Sequence, residues 1–310
     1  MNILVTGGAG YIGSILVPDL LDRGAYVTVL DNFAHGQNSL GHVCYNEKLR
    51  IVRADVCDQD IMLQEIRRAD VIIPLAALVG APLCKQNSIS AQSVNVEAIR
   101  YIVNNLSPQQ QVVFPVTNSG YGLGQGNTYC TEESPLKPIS LYGQTKVEAE
   151  KIIMDRENSV AFRLATVFGM APRMRLDLLV NDFCYRACRD RSIVVFEGHF
   201  KRNYIHVRDV SYGFRFALDN FESMRGNTFN MGLSDANLSK MELIQRIQLQ
   251  LPELVYIEAP IGEDPDKRNY IVSNEKLENA GWQPQFGLDQ GIRELLTGFQ
   301  MIRNERYSNV

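Results

Sequence analysis

The stretch NILVTGGAGYIGS, Asn2 to Ser14, constrains the fold more than any other part of the chain. Ile3, Leu4 and Val5 read as a buried strand and run straight into Gly7, Gly8, Gly10 and Gly13. Around and beyond the last glycine, Tyr11, Ile12, Ile15, Leu16 and Leu20 recur at helical spacing, so the order is strand, tight turn, helix. Such a turn needs residues that tolerate positive φ and lack a Cβ, so that backbone N–H groups and the positive end of the helix can approach a pyrophosphate. The spacing fits GxGxxG from Gly8 or GxxGxxG from Gly7, and a glycine turn that merely reverses the chain would look the same in isolation.

The next segment favours the dinucleotide reading. Arg23-Gly24 ends the periodic segment, and Tyr26-Val27-Thr28-Val29-Leu30 reads as a second buried strand ending in Asp31 and Asn32. An acid about 20 positions beyond the glycines, at a strand's carboxyl end, can accept hydrogen bonds from the adenosine ribose diol. Its charge would repel a 2′-phosphate, which favours NAD over NADP; the competing role for Asp31 is that of a turn residue or helix cap.

Strand and helix patterns then alternate. Strands are expected at 2–6, 26–30, 50–53, 70–74, 111–116 and 159–164, and helices at 11–23, 58–67, 88–106 and 141–157. Alternation of this kind predicts a Rossmann-type α/β fold, a doubly wound parallel sheet covered on both faces. Asp55-Val56 follows the third strand and Leu75-Ala76-Ala77 the fourth, at the sheet edge where open α/β sheets bind ligands. Asp55 is placed to hold the adenine amino group or to cap the helix that starts near Asp58. From about residue 165 the pattern loosens into a smaller mixed α/β region. It holds Pro172, the basic Arg173-Met174-Arg175, short strands near 193–196, 203–207 and 227–231, and helices near 177–189, 208–221, 239–249 and 288–303. No repeat or flexible linker separates the two regions.

Composition excludes several classes. The 310 residues are 45% hydrophobic and 21% charged, enough to bury a substantial core, and the net charge of −4 without a basic stripe argues against nucleic acid binding. No apolar run approaches the roughly 20 residues of a membrane span, and the first residues enter a strand directly, so no signal peptide or membrane anchor is expected and the location is read as cytoplasmic. Six cysteines, at 44, 57, 84, 130, 184 and 188, form no disulfide framework and are read as reduced packing residues. The histidines at 35, 42, 199 and 206 form no ligand-spaced set, so no metal is expected.

Chemistry enters with Leu141-Tyr142-Gly143-Gln144-Thr145-Lys146. A Tyr and a Lys four apart at a helix start share a face, and a nearby ammonium lowers a phenol's pKa from about 10 toward neutrality. Twenty-five residues upstream of Tyr142, the fifth strand ends in Thr117-Asn118-Ser119-Gly120-Tyr121-Gly122, where Thr117 can present a hydroxyl to the same substrate oxygen. Hydroxyl, phenol and ammonium together can take the proton of an alcohol while its carbon-bound hydrogen leaves as hydride. Alone, YxxxK also describes a surface helix pair.

Together TGGAGYIGS, LDN at 30–32, AD at 54–55, LAAL at 75–78, TNSGYG, YGQTK, FRLATVFG at 162–169 and RNYIHVRD at 202–209 resemble the extended short-chain dehydrogenase/reductase family, specifically its nucleotide-sugar epimerases and dehydratases. The resemblance runs the whole chain in order. It implies that Thr117, Tyr142 and Lys146 are catalytic. Gly7, Gly10, Tyr11, Ile12, Gly13, Asp31, Asn32, Asp55, Val56, Leu75, Ala76, Ala77, Tyr142 and Lys146 would line an NAD site. Thr117, Asn118, Ser119, Thr166, Arg173, Arg175, Arg202 and Arg268 would contact a nucleotide-diphosphate sugar, the arginines because guanidinium groups offer fixed donors to phosphate. Residues 1–165, with a returning segment at about 203–231, would hold NAD, and 166–202 with 232–310 would hold the sugar nucleotide.

Three departures from the family pattern matter. A 4,6-dehydratase assigns C5 proton removal and protonation of the C6 hydroxyl to a Glu and an Asp directly after the catalytic Thr. Here those positions are Asn118 and Ser119, which disfavours dehydration. Thr166 stands where the family commonly has Asn, and Val79 where a polar residue is common. The longer matches PLAALVGAPLC, RLATVFG, PRMRLDLLVNDF and GEDPDKR are most similar to a branch that oxidises GDP-heptoses at C4 in bacterial capsule or surface-polysaccharide synthesis. The expected activity is therefore NAD-dependent oxidation of a nucleotide sugar at C4, with a 4-epimerase or a non-catalytic NAD-binding sensor or scaffold as alternatives. Val94, Ala98, Ile99, Ile102, Val103 and Leu106 on one helix, and Val147, Ala149, Ile152 and Ile153 on the next, exceed what one sheet-facing side requires, which predicts a homodimer through those helices.

Overall fold

The computed structural model describes residues 1–36, 38–124, 128–259 and 268–302. The apolar runs of the first half form β1 (Asn2–Thr6), β2 (Tyr26–Asp31), β3 (Leu49–Arg53), β4 (Val71–Pro74) and β5 (Gln111–Thr117). The later strands are β6 (Tyr129–Cys130), β7 (Ser159–Leu164), β8 (Thr166–Phe168), β9 (Ser192–Val195), β10 (Lys201–His206), β11 (Asn227–Met231), β12 (Asn237–Ser239), β13 (Val255–Glu258) and β14 (Ile271–Val272). Helices of the first half are α1 (Gly13–Asp22), α2 (Gln59–Ile66), α3 (Ala81–Gln86), α4 (Ser88–Gln92), α5 (Ala98–Asn104) and α6 (Leu141–Met154). Those of the second are α7 (Leu179–Asp190), α8 (Val207–Asp219), α9 (Phe221–Met224), α10 (Lys240–Gln250), α11 (Glu275–Asn279) and α12 (Leu288–Gly298).

Seven strands form one parallel sheet in the order β11-β7-β5-β4-β1-β2-β3. Because side chains alternate across a strand, Ile3 and Val5 enter one core with Val27, Val29, Ile73 and Phe162, while Leu4 enters the other with Ile72, Phe114 and Ala161. Burial on both faces is why these strands read as continuous apolar runs. The strand order reverses between β1 and β4, and the crevice at that point, beyond the strands' carboxyl ends, is where such sheets bind ligands.

Several elements differ from expectation. The helix expected at 88–106 is interrupted by a π-helical turn, Ser93–Glu97, between α4 and α5. Of the segment 203–231, β11 joins the large sheet and α8 packs on α1, but β10 pairs with β8 and β12 in a separate three-stranded sheet. The return therefore runs through α8 and β11, not through residues 203–206. The expected helix 288–303 ends at Gly298, and residue 303, like the stretch 263–267 beside Arg268, lies outside the described residues. All six cysteines are free; Cys84, Cys130 and Cys184 are buried, whereas Cys44 and Cys57 are exposed and do not act as packing residues. No helix among the described residues is long and apolar enough to cross a membrane.

Candidate active site

The glycine turn, the ends of β2 to β5, the start of α6 and the loop after β8 enclose a cavity of about 590 Å³. Gly7 has φ of 68°, and a Cβ there would lie 2.5 Å from the Ala76 backbone nitrogen; a Cβ on Gly13 would lie 2.4 Å from the Gly8 carbonyl oxygen. Only glycine lets β1, α1 and the end of β4 close this tightly. Gly10 and Ile12 line the same wall, no side chain caps α1, and its first turn carries no acid, so its positive end faces the cavity uncompensated. The Tyr11 hydroxyl donates to the Gly169 carbonyl at 2.6 Å and accepts from Asn181 Nδ2 at 3.2 Å, which ties the start of α1 to the loop after β8; burial pushes that phenol's pKa up.

Asp31 ends β2. Its Oδ2 accepts from Ala9 N at 3.0 Å and its Oδ1 from Phe33 N at 2.8 Å, so it holds the glycine turn as well as facing the cavity. Asn32 Nδ2 donates to Asp55 Oδ2 at 3.3 Å. Asp55 accepts from Cys57 N at 2.9 Å, a bond that holds its carboxyl below the usual range, and the cap of α2 is Asp58. Val56, Leu75, Ala76 and Ala77 complete this half.

Thr117, at the end of β5, donates through Oγ1 to Ser119 Oγ at 3.0 Å and accepts from Ser119 N at 3.1 Å. Ser119 Oγ also accepts from Arg268 Nη1 at 2.6 Å, which leaves the serine's own proton available to a ligand. Asn118 does not line the cavity. The Thr117 cap winds Asn118–Tyr121 into a 3₁₀ turn that directs Asn118 into the protein, so the substrate contact expected of it is not available. Thr166 lines the wall opposite, and its Oγ1 has no hydrogen-bond partner among the described residues.

Ser140 caps α6 through a bond from Gly143 N (3.1 Å) and thereby sets Tyr142 and Lys146 against the cavity. The expectation that Lys146 lowers the Tyr142 pKa needs correction. Burial raises the Tyr142 phenol, and the cations that oppose this are Arg175 and Arg268. Lys146 lies instead under α6, its Nζ 4.1 Å from the centre of the Phe114 ring, 5% exposed, and burial brings its pKa down to about 7 while Glu150 raises it.

That shift carries a stability cost. The unfolded lysine, with an ordinary pKa of ~10.4, keeps a proton that the folded one loses above about pH 7, so stability should rise as pH climbs from about 7 toward ~10 and the penalty is full below that window. Lys146→Met should remove this rise and melt higher than the wild type at pH 7, as scanning calorimetry would show. Equal pH slopes for the two proteins would contradict the buried-lysine account.

Arg202 on β10, Arg268 and Tyr270 close the far end. Arg175 pairs with Asp177 (Nη2–Oδ2 2.5 Å), which lies in the same wall, while Arg173 sits nearer the glycine turn. Sequence reasoning missed Tyr270, Ser140 and the α3 residues Ala81, Pro82 and Leu83, all in the cavity wall. It also missed Asn95, which the π-helical turn presents to Leu78 N (2.8 Å), Leu78 O (2.9 Å) and Thr145 Oγ1 (3.1 Å), joining the loop after β4 to α6. The available signal was a lone amide in an apolar stripe. Among the described residues no cluster of acids, histidines and cysteines suits a metal.

The residues present fit NAD. The glycine contacts leave backbone where a diphosphate must come close, α1 has no side-chain cap, and the Asp31 carboxylate ends β2 in the cavity wall. The comparisons agree. UDP-glucuronic acid decarboxylase 1 of Arabidopsis thaliana is 29% identical over 98% of this chain and 71% of its own length. The dTDP-D-glucose 4,6-dehydratase of Mus musculus is 23% identical over 96% of this chain and 88% of its own. The structure of the Thermus thermophilus UDP-glucose 4-epimerase in complex with NAD is 25% identical, with a TM-score of 0.82 over 97% of this chain and 99% of that one. The description "NAD dependent epimerase/dehydratase family" matches residues 3–232. The chain belongs to the NAD-dependent epimerase/dehydratase family, a nucleotide-sugar enzyme with NAD as its cofactor.

Proposed function

We propose that this chain oxidises a nucleotide-diphosphate sugar at C4 to a 4-keto sugar, with Tyr142 taking the proton of the C4 hydroxyl. The observation that carries this is one cavity wall holding Tyr142, the Thr117–Ser119 hydroxyl pair and the Arg268 guanidinium. Bound NAD supplies the hydride acceptor. Tyr142 must first be a phenolate, and Arg175 and Arg268 are the side chains that favour it. Thr117 hydrogen-bonds and orients the C4 oxygen, Ser119 donates to the sugar, and Lys146 holds the nicotinamide ribose. Arg202 and Arg268 bind the sugar diphosphate, with Thr166 turned to the sugar. Residues 1–165 with α8 and β11 form the NAD half, and 166–202 with 232–310 the sugar half.

With an inward-facing amide at 118 and a serine at 119, neither position can do the acid and base work of a 4,6-elimination, which disfavours dehydration. The sequence resemblance supports release of the keto sugar, as in a GDP-heptose 4-dehydrogenase of surface-polysaccharide synthesis. The likeness to UDP-glucose 4-epimerase supports the second reading, return of hydrogen to the opposite face of C4. A panel of GDP and UDP sugars, followed by NADH absorbance and product NMR, separates them. A 4-keto product with matching NADH supports the dehydrogenase, and a C4-inverted sugar without net NADH supports the epimerase. A protein that binds NAD but alters no sugar overturns both in favour of a sensor or scaffold.

We place this enzyme in the cytoplasm as a homodimer. Ala98, Ile99, Ile102, Ala149 and Ile153 are consumed inside the chain and Val94 lines the cavity, while Val103, Leu106 and Ile152 stay half-buried and support a contact with a second copy beside the active-site helix. Light scattering at micromolar concentration should give twice the chain mass; a monomer mass contradicts the interface.

A further inference from the structure

We propose that Asp182, on the first turn of α7, is a specificity-determining residue of the substrate half, where its carboxylate accepts hydrogen bonds from a neutral donor group of the sugar nucleotide. In sequence an acid at this position reads as a partner for the N–H groups of its own helix. The structure gives it another task, since α7 makes no side-chain cap hydrogen bond and Asp182 lines the cavity with Leu178 and Leu179. Among the described residues of the cavity wall the carboxylates are those of Asp31, Asp55, Asp177 and Asp182. The oxygens of Asp31 accept from Ala9 N and Phe33 N, those of Asp55 from Asn32 Nδ2 and Cys57 N, and those of Asp177 from Nε and Nη2 of Arg175. Asp182 differs from the other three. Its Oδ1 accepts from Arg186 Nε at 2.8 Å, and its Oδ2 accepts from no described group.

Arg186 does not use up this acceptor. Its side chain is 49% exposed against 25% for Asp182, and a pair of that kind one helical turn apart is weak. Only one of the carboxylate's roughly four lone-pair sites is taken. Burial pushes the carboxyl above the usual range, Asp177 adds to this, and Arg186 opposes it. The ligand group that meets Asp182 must therefore be a donor without negative charge. A phosphate would be repelled, and the Arg202 and Arg268 guanidiniums in the same wall suit it instead. A sugar nucleotide offers two sources of such donors, the adjacent N1–H and N2–H of a guanine base and the hydroxyls of the sugar. Guanine matches a carboxylate with two parallel donors, whereas uracil presents one N–H between two carbonyl oxygens and is disfavoured there. An acidic sugar is disfavoured in the same way, by repulsion between carboxylates.

This rests on the reading of the cavity as a nucleotide-sugar site and not on oxidation at C4, so the test measures binding without turnover. The full chain, freed of bound nucleotide and saturated with ADP-ribose, which cannot accept hydride, is titrated calorimetrically with GDP, IDP, UDP, GDP-mannose and UDP-glucose. Asp182→Asn and Asp182→Leu are compared with the wild type; both sit at a partly exposed helix position, and the asparagine can still accept from Arg186. With guanine as the donor, both variants weaken GDP by about 10- to 100-fold, leave UDP within about twofold, and abolish the advantage of GDP over IDP, which lacks the 2-amino group. With the sugar as the donor, GDP and UDP stay within about twofold, and the advantage of GDP-mannose over GDP or of UDP-glucose over UDP shrinks by that same factor. Affinities unchanged for all five ligands, or an equal fall for all five, which marks a merely structural role, would each overturn the assignment. A wild type that binds none of the five would overturn the nucleotide-sugar reading and this assignment with it.

Discussion

Phenylalanine at position 142 should lower turnover by about 10²- to 10⁴-fold while leaving NAD affinity and thermal stability close to those of the wild type. The substitution deletes the proton acceptor and keeps the ring that lines the cavity. It also keeps the local structure, because Thr145 Oγ1 bonds the Tyr142 carbonyl (3.0 Å) and not its phenol. Thr117→Val should cost less, since it removes one orienting hydroxyl and leaves the base. Stopped-flow NADH formation on whichever sugar nucleotide the wild type accepts would read both effects. A Tyr142→Phe enzyme of near-normal rate would take Tyr142 out of the mechanism.

Arg163→Met should destabilise the fold by about 3–5 kcal/mol, because it strips the partner from a buried carboxylate. Arg163 and Glu150 have side chains only 8% and 6% exposed, joined by Nη2–Oε1 at 2.8 Å and by Nε to both oxygens at 3.0 and 3.2 Å. The guanidinium also donates to the Tyr121 hydroxyl (3.0 Å) and the Glu132 carbonyl (2.9 Å), and Tyr121 passes a bond to Asn230 Oδ1 (2.7 Å). Methionine fills much of the volume but leaves the buried Glu150 carboxylate with the Thr228 hydroxyl (3.2 Å) and no cation, one helical turn from Lys146. The melting temperature should drop on the order of 10 °C. An unchanged melting temperature would show that water or rearrangement replaces the guanidinium, and that this network does not hold α6 in place.

The sequence is legible where local and tertiary demands agree. Gly7 and Gly13 were legible because a strand, a tight turn and a helix left no room for a Cβ, and the structure puts backbone at both positions. The parallel strands were legible because burial on two faces makes them uniformly apolar. By contrast α3 has six residues and β14 two, too short for any period to show, yet α3 and the residues just before β14 wall the cavity. Asn118 could not be placed, since its direction depends on the cap its neighbour Thr117 makes. Glu150 reads as an ordinary helix position, and its partner Arg163 is supplied by a strand. Lys146 was found by its spacing from Tyr142, but its nearest feature is Phe114 on β5, a contact that spacing along α6 cannot report.

The most direct measurement tracks the hydrogen on C4. A sugar nucleotide accepted by the wild type, deuterated at C4, should be mixed with NAD-loaded protein in a single turnover and the nicotinamide recovered for mass analysis. The account predicts that the deuterium appears on the nicotinamide in the wild type and that Tyr142→Phe slows this transfer by about 10²-fold or more. Product formed with the deuterium still on carbon throughout, or lost to solvent without passing to the nicotinamide, would contradict oxidation at C4.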